Sequence, residues 1–226
     1  MGSRRYCETL IATGRVAVDG RVITELGTKA DPAKSSVSVD GKPINRAQDK
    51  VYILLNKPCG YTSTRSDPHA KRTVLELVAD MDAYVYPVGR LDVDTSGLLI
   101  LTNDGELTKS LTHPSHQIEK TYTAVVRGRI KSASLSRLEK GIELDDGVTS
   151  PAGARLVSYS SSADESTVEI VLHEGRKRQV RRMFAAVGHR VVRLSRTRIG
   201  HLEIGTLKEG HYRRLTKKEV TRLRKL

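Results

Sequence analysis

Two short alternating runs stand near the start of the chain. Val16-Ala17-Val18-Asp19-Gly20-Arg21-Val22-Ile23 and Val37-Ser38-Val39-Asp40-Gly41-Lys42-Pro43-Ile44 each set Asp-Gly among apolar positions. A two-residue turn with both central residues at positive φ needs that dipeptide, so each run predicts a hairpin. Ahead of them, Ser3 is the expected cap of a helix reaching about Thr13, with Gly14 as its stop. A helix beside a small sheet forms a first domain over 1–46, and the polar stretch Asn45–Lys50 reads as the linker to a second over 47–226. In the second domain, apolar runs predict strands at Val51–Leu55, Leu98–Thr102, Thr121–Val126, Ala154–Val157, Val168–Leu172 and Arg190–Leu194. Helices are predicted at Val74–Val78, Glu106–Leu111, Ser132–Lys140, Arg178–Val187 and Lys217–Lys225, the last opened by the capping box Thr216-Lys217-Lys218-Glu219. Ser158–Ser166 is polar and predicts a surface loop. Clustered strands with interspersed helices favour an α+β fold over a doubly wound parallel sheet.

Composition narrows the classes. At 226 residues, 38% hydrophobic and 29% charged, the chain can bury a core and is not a disordered basic tail. Its apolar runs fall far short of the roughly 18 residues of a membrane helix, so no membrane partner is expected. The start lacks the apolar core of a signal peptide. Two cysteines, Cys7 and Cys59, make neither a CxxC nor a zinc cluster, and a cytoplasmic, reducing location is the expectation. His113-Pro114-Ser115-His116 has no further ligands at useful spacing, so no metal is expected.

Charge is more informative. The formal net charge is +13, and all of it lies at the C-terminal end. Between Glu174 and Leu226 stand 17 Lys and Arg against 4 Asp and Glu, whereas the first 173 residues balance at 22 of each. A local basic field rich in arginine suits a polyanion, because every phosphate neutralised releases condensed counterions.

The stretch from Gly89 to Gly105, GRLDVDTSGLLILTNDG, is a polar loop running straight into an apolar strand. A carboxylate at such a junction is held at the rim of a sheet by a rigid element. By residue type alone, Asp92 and Asp94 serve equally well as turn formers. As an extended pair pointing one way they would instead make the acid and base of a glycosidase-like site.

Gly-Arg-Leu-Asp-x-x-Thr-Ser-Gly-Leu-Leu resembles the catalytic motif of pseudouridine synthases, in particular the ribosomal group containing the RsuA and RluB enzymes. Asn56-Lys57-Pro58-Cys59-Gly60-Tyr61 resembles that group's early motif, Lys120-Thr121-Tyr122 its Lys-x-Tyr motif, and the segment from Glu174 to Met183 its late Arg-rich motif. Residues 1–46 resemble the S4 RNA-binding domain such enzymes carry, although this chain begins almost at the Ser3-Arg4-Arg5 element, without the further helix that normally precedes it. The resemblance implies a small S4-like α/β module followed by a mixed, mainly antiparallel-sheet catalytic domain. It implies isomerisation of a uridine in ribosomal RNA, first that of the large subunit, with the small subunit and a non-catalytic ribosome-assembly factor as alternatives. No cofactor is implied, and a monomer is the simplest expectation. Asp92 takes the nucleophile's position, Tyr122 that of the ring stacking on the extruded base, and Arg181 that of the basic partner of the aspartate. Lys57, Arg90 and Leu194 are expected to touch the substrate nucleotide. Arg4, Arg5 and Arg15 in the first domain and Arg176, Lys177, Arg178 and Arg182 in the second are expected on RNA phosphates. Asp94 is there only a variable spacer.

Overall fold

Both Asp-Gly pairs turn hairpins. In the computed structural model, which describes residues 4–31, 34–44 and 49–226, Asp19 and Gly20 lie at φ 49° and 79°, and Asp40 and Gly41 at 50° and 74°. They join β1 (Val16–Val18) to β2 (Arg21–Ile23) and β3 (Val37–Val39) to β4 (Lys42–Pro43). Pairing of β1 with β3 completes an antiparallel sheet in the order β2-β1-β3-β4. Helix α1 (Arg4–Ala12) precedes it and stops at Gly14, whose φ of 69° lets the Arg15 amide reach back to the Leu10 carbonyl at 3.0 Å. The expected Ser3 cap and linker residues 45–48 lie outside the described residues. The chain divides into two units, Met1–Asp49 and Lys50–Leu226.

The second unit is built on one large mixed sheet. Its elements are β5 (Tyr52–Lys57), β6 (Tyr86–Val88), β7 (Ser96–Thr102), α2 (Gly105–Thr112), β8 (Lys120–Arg127), α3 (Ser132–Lys140), the hairpin β9 (Glu143–Leu144) and β10 (Gly147–Val148), β11 (Gly153–Ser160), β12 (Glu165–Leu172), α4 (Gln179–Ala186), β13 (Val191–Ile199), β14 (Leu202–Glu203), β15 (Tyr212–Arg214) and α5 (Lys217–Leu223). Strand order is β11-β12-β8-β13-β7-β5-β15, with β6 added to β7 and β14 to β13. Among the described residues, every strand pairing in this sheet is antiparallel except that of β13 with β7. That parallel contact sits at the middle of the sheet, where both faces are covered, and β7 is buried at all seven positions.

On one face, Ala124, Val168, Ile170 and Leu194 pack under Leu138 of α3 and Met183 and Phe184 of α4. Ile53, Leu55, Leu99 and Leu101 continue the same face under Val74, Val78, Val85 and Leu91. Tyr122 belongs to both clusters and marks the seam between them. Leu54, Leu98 and Ile100 occupy the other face, against Leu107 and Leu111 of α2 and Leu223 of α5.

Two expectations need correction. Val74–Val78 is a 3₁₀ turn rather than an α-helix. Ser158–Ser166 is no loop: β11 runs to Ser160 and β12 begins at Glu165, so only the hairpin turn is irregular. Its polarity reflects an edge strand that is largely exposed on both faces. The strands β6, β9, β10, β14 and β15 escape prediction, each being only two or three residues long.

Candidate active site

The loop before β7 is fixed by the segment after β5. The Lys57 ammonium is fully buried and donates to three carbonyls, those of Pro58 (3.1 Å), Asp92 (3.1 Å) and Thr95 (2.8 Å). Gly60, at φ 90°, donates its amide to the Val93 carbonyl at 2.7 Å. Ser63 closes a reciprocal pair with Leu91, its hydroxyl donating to the carbonyl (2.9 Å) and accepting from the amide (3.1 Å). A turn bond from the Thr95 amide to the Asp92 carbonyl completes the frame. Backbone is thus tied down on both sides of Asp92, while its half-buried carboxylate accepts no hydrogen bond among the described residues. The expectation that Lys57 touches substrate does not hold. Its protons are spent on the loop, and burial pushes its pKa down to about 8.

Strand register sets the floor below the loop. Tyr122 on β8 faces Arg196 on β13, Arg196 faces Gly97 on β7, and Gly97 faces Lys57 on β5. Paired residues share a face, so Tyr122, Arg196 and Lys57 stand in one row with an empty place at Gly97. Gly97 is required there. Its φ is 111°, and a Cβ would lie 2.6 Å from the Arg196 amide nitrogen and closer still to that residue's carbonyl oxygen. Tyr122 is half-buried, Leu194 is buried two residues before Arg196, and the Arg196 guanidinium lies 6.0 Å from the Tyr122 ring centre. Arg90 is exposed on the loop.

Arg181 departs from expectation. Its guanidinium donates to the Asp94 carbonyl (2.6 Å) and the Val191 carbonyl (3.3 Å), and its Nε lies 3.3 Å from the Asp94 carboxylate rather than that of Asp92. Arg178 makes a two-pronged bond to the same Asp94 carboxylate at 3.0 and 2.9 Å. These arginines, the Arg178 hydrogen bonds foremost, hold the Asp94 pKa below the ordinary carboxylate range. Asp94 is therefore no spacer but the clasp between the loop and α4. Arg178 does not open the helix as expected but precedes α4 in a left-handed conformation at φ 52°.

Two further expected phosphate contacts are committed elsewhere. Arg176 binds Glu174, Asp146 and the carbonyls of Gly147 and Val148, and Arg182 binds Asp145 and Asp146. Both brace the β9–β10 hairpin, whose acidic turn neutralises them. Lys177 remains exposed. Asp94, Arg178, Arg181, His189 and Arg190 line an open groove at the edge of α4. In the first unit, Arg4 pairs with Glu8 (2.9 Å), Arg15 with Asp40 (2.8 and 2.5 Å), and Arg5 is exposed.

Sequence reasoning misses Ser63 and Arg196 and gives Asp94 no part as a clasp. The alternation Leu194-x-Arg196 is a usable signal for the last, since it puts an arginine on the face of a core leucine.

Asp92 thus offers a rigidly mounted but uncommitted carboxylate, Tyr122 a half-buried phenol ring on the sheet, and Arg178 and Arg181 guanidinium groups bound to the neighbouring Asp94. Comparison with known proteins agrees with that chemistry. Residues 51–186 match the family model described as RNA pseudouridylate synthase. The chain is 45% identical over 224 residues to an uncharacterized RNA pseudouridine synthase of Aquifex aeolicus (strain VF5), covering 99% of this chain and 89% of that one. It is 44% identical over 226 residues to ribosomal large subunit pseudouridine synthase B of Bacillus subtilis (strain 168), covering 100% and 92%. A crystal structure of a pseudouridylate synthase superposes with a TM-score of 0.70 at 28% identity, covering 98% of this chain and 94% of the other.

Proposed function

The chain belongs to the RNA pseudouridylate synthase family, and on that premise we propose that it converts a uridine of large-subunit ribosomal RNA to pseudouridine, acting as a cytoplasmic monomer. The reaction is an isomerisation. The bond between N1 of uracil and C1′ of ribose breaks, the ring turns, and C5 bonds to C1′ while its proton passes to solvent and N1 takes one up. No atom or electron is gained or lost overall, so the protein's task is to reach, hold and attack.

Asp92 is the nucleophile in this reading. The observation that carries it is the contrast between its pinned backbone and its uncommitted carboxylate: a nucleophile has to be held in place without being tied up. A stacked uridine is beyond reach, and extruding it costs about a few kcal/mol. Stacking on Tyr122 returns part of that cost, with Leu194 as an apolar wall. Arg181 acts through the Asp94 clasp and keeps α4 against the loop. Arg90 and Lys177 are the proposed contacts to the RNA strand beside the base, Arg178 being held by Asp94 like Arg181. Residues 1–46 are read as an S4-like module, with the exposed Arg5 as its proposed phosphate contact, Arg4 and Arg15 being paired with Glu8 and Asp40. The large-subunit assignment takes its support from the name of the Bacillus subtilis relative.

Tritium release from ribosomal RNA labelled at C5 of uridine tests the reading. Purified protein is expected to release label from large-subunit RNA. Release from small-subunit RNA alone would overturn the choice of substrate, and no release from either would overturn the function.

A further inference from the structure

Arg196 is a costly residue for stability to have retained. It is 4% exposed, its Nε donates to the Leu98 carbonyl at 2.8 Å, and its Nη2 is buried without a hydrogen-bond partner among the described residues. A guanidinium taken out of water with one nitrogen unmatched carries a desolvation penalty that a well-packed apolar side chain of similar size avoids. No carboxylate within ion-pair distance of it is found among the described residues. Its positive charge is felt on both sides, depressing the pKa of Lys57 across Gly97 and of Lys120 two residues before Tyr122, although burial is the larger cause in each.

Location gives the residue its use. It stands in the row between Tyr122 and Gly97, its guanidinium against the tyrosine ring and its Nε on the strand that Asp92 leads into. Resting on the reading of the site given above, we propose that Arg196 is a positioning residue of the isomerisation: it fixes the Tyr122 ring for the extruded uracil and lays an uncompensated positive charge beneath the place where that uracil sits. When the glycosidic bond breaks, the bonding pair leaves with the ring, and the departing uracil carries negative charge. A preorganised cation under it strengthens the interaction as the charge develops, without reorganising at that moment.

The test compares Arg196→Met and Arg196→Lys with the wild type in single-turnover tritium release at saturating RNA, alongside RNA affinity and thermal melting. Arg196→Met is expected to melt no lower than the wild type and to bind RNA within about threefold, yet to isomerise about 30-fold or more slowly. Arg196→Lys, which keeps the charge and loses the planar fork, is expected to recover part of that rate. A methionine variant with wild-type rate overturns the proposal. So does one whose activity falls only with its folded fraction, or a lysine variant no faster than the methionine one. Wild-type protein that releases no label removes the functional reading itself, and this inference with it. Where the wild type turns over, those failures of the variants count against Arg196 alone.

Discussion

Strand β7 begins and ends beside an aspartate, and the two are treated in opposite ways. Asp92 leads into the strand with its backbone anchored and its carboxylate accepting nothing among the described residues. Asp104 follows it, 1% exposed, accepting from Tyr52 (2.7 Å), Lys50 (3.0 Å) and Arg224 (2.9 Å) while capping α2 through the Leu107 amide (3.4 Å). Burial alone would raise the Asp104 pKa, but the hydrogen bonds outweigh it and hold the group well below the ordinary carboxylate range. One end of the strand leaves a carboxylate without a hydrogen-bond partner among the described residues, as the proposed reaction requires. The other spends its charge on tying the C-terminal segment and α2 to the sheet. Stability and reactivity are thus separated along a single buried strand, so the two ends should fail in different ways.

The largest contrast is expected from Asp92→Asn. It should cut the single-turnover rate by at least about 10³-fold while leaving the urea midpoint almost unmoved, because no hydrogen bond described in the fold depends on that carboxylate. An equally large loss of stability would erase the distinction between the two ends. Gly97→Ala is the next largest effect. A methyl group there meets the β13 backbone at a φ that L-residues rarely adopt, so about 3 kcal/mol of stability should be lost, read from urea unfolding.

Asp104→Asn should cost about 2–3 kcal/mol of unfolding free energy, because it weakens three charged or phenolic partners at once, with little change in rate where the protein remains folded. A variant that keeps its stability but loses its rate would move Asp104 into the site. The smallest effect is a pH dependence. A carboxylate whose folded pKa is depressed contributes stability that is fully present above its unfolded value near 4 and is lost as pH falls through the folded value. Between pH 5 and about 3, the wild type should therefore lose about 1 kcal/mol more than Asp104→Asn. Parallel curves would show that Asp104 titrates normally.

Much of this was readable from residue order. The two Asp-Gly hairpins, the buried Leu98–Leu101 run, the helix at Ser132–Lys140 and the Thr216–Glu219 capping box are local features, decided by turn chemistry, periodicity and caps. The motif from Gly89 correctly marked a polar loop feeding a buried strand. What escaped were pairings made across long stretches of chain. Nothing near Arg181 says which of two neighbouring carboxylates it will meet. Arg176 and Arg182 looked available to phosphates because their partners, Asp145 and Asp146, come from a hairpin earlier in the chain. Arg196 read as one more cation in a basic segment until the parallel register put it beside Gly97.

That parallel register also governs when the molecule can first work. The strand behind Asp92 has its neighbour in residues 191–199, and β5, which carries Lys57, has its outer neighbour in residues 212–214. Contacts between such distant parts close late and slowly, since the loop entropy is spent before the pairing returns it. A nascent chain emerging from the ribosome therefore displays the whole motif around Asp92 long before it owns a pocket. Competence for catalysis arrives only once residues 191–199 and 212–214 have joined the sheet.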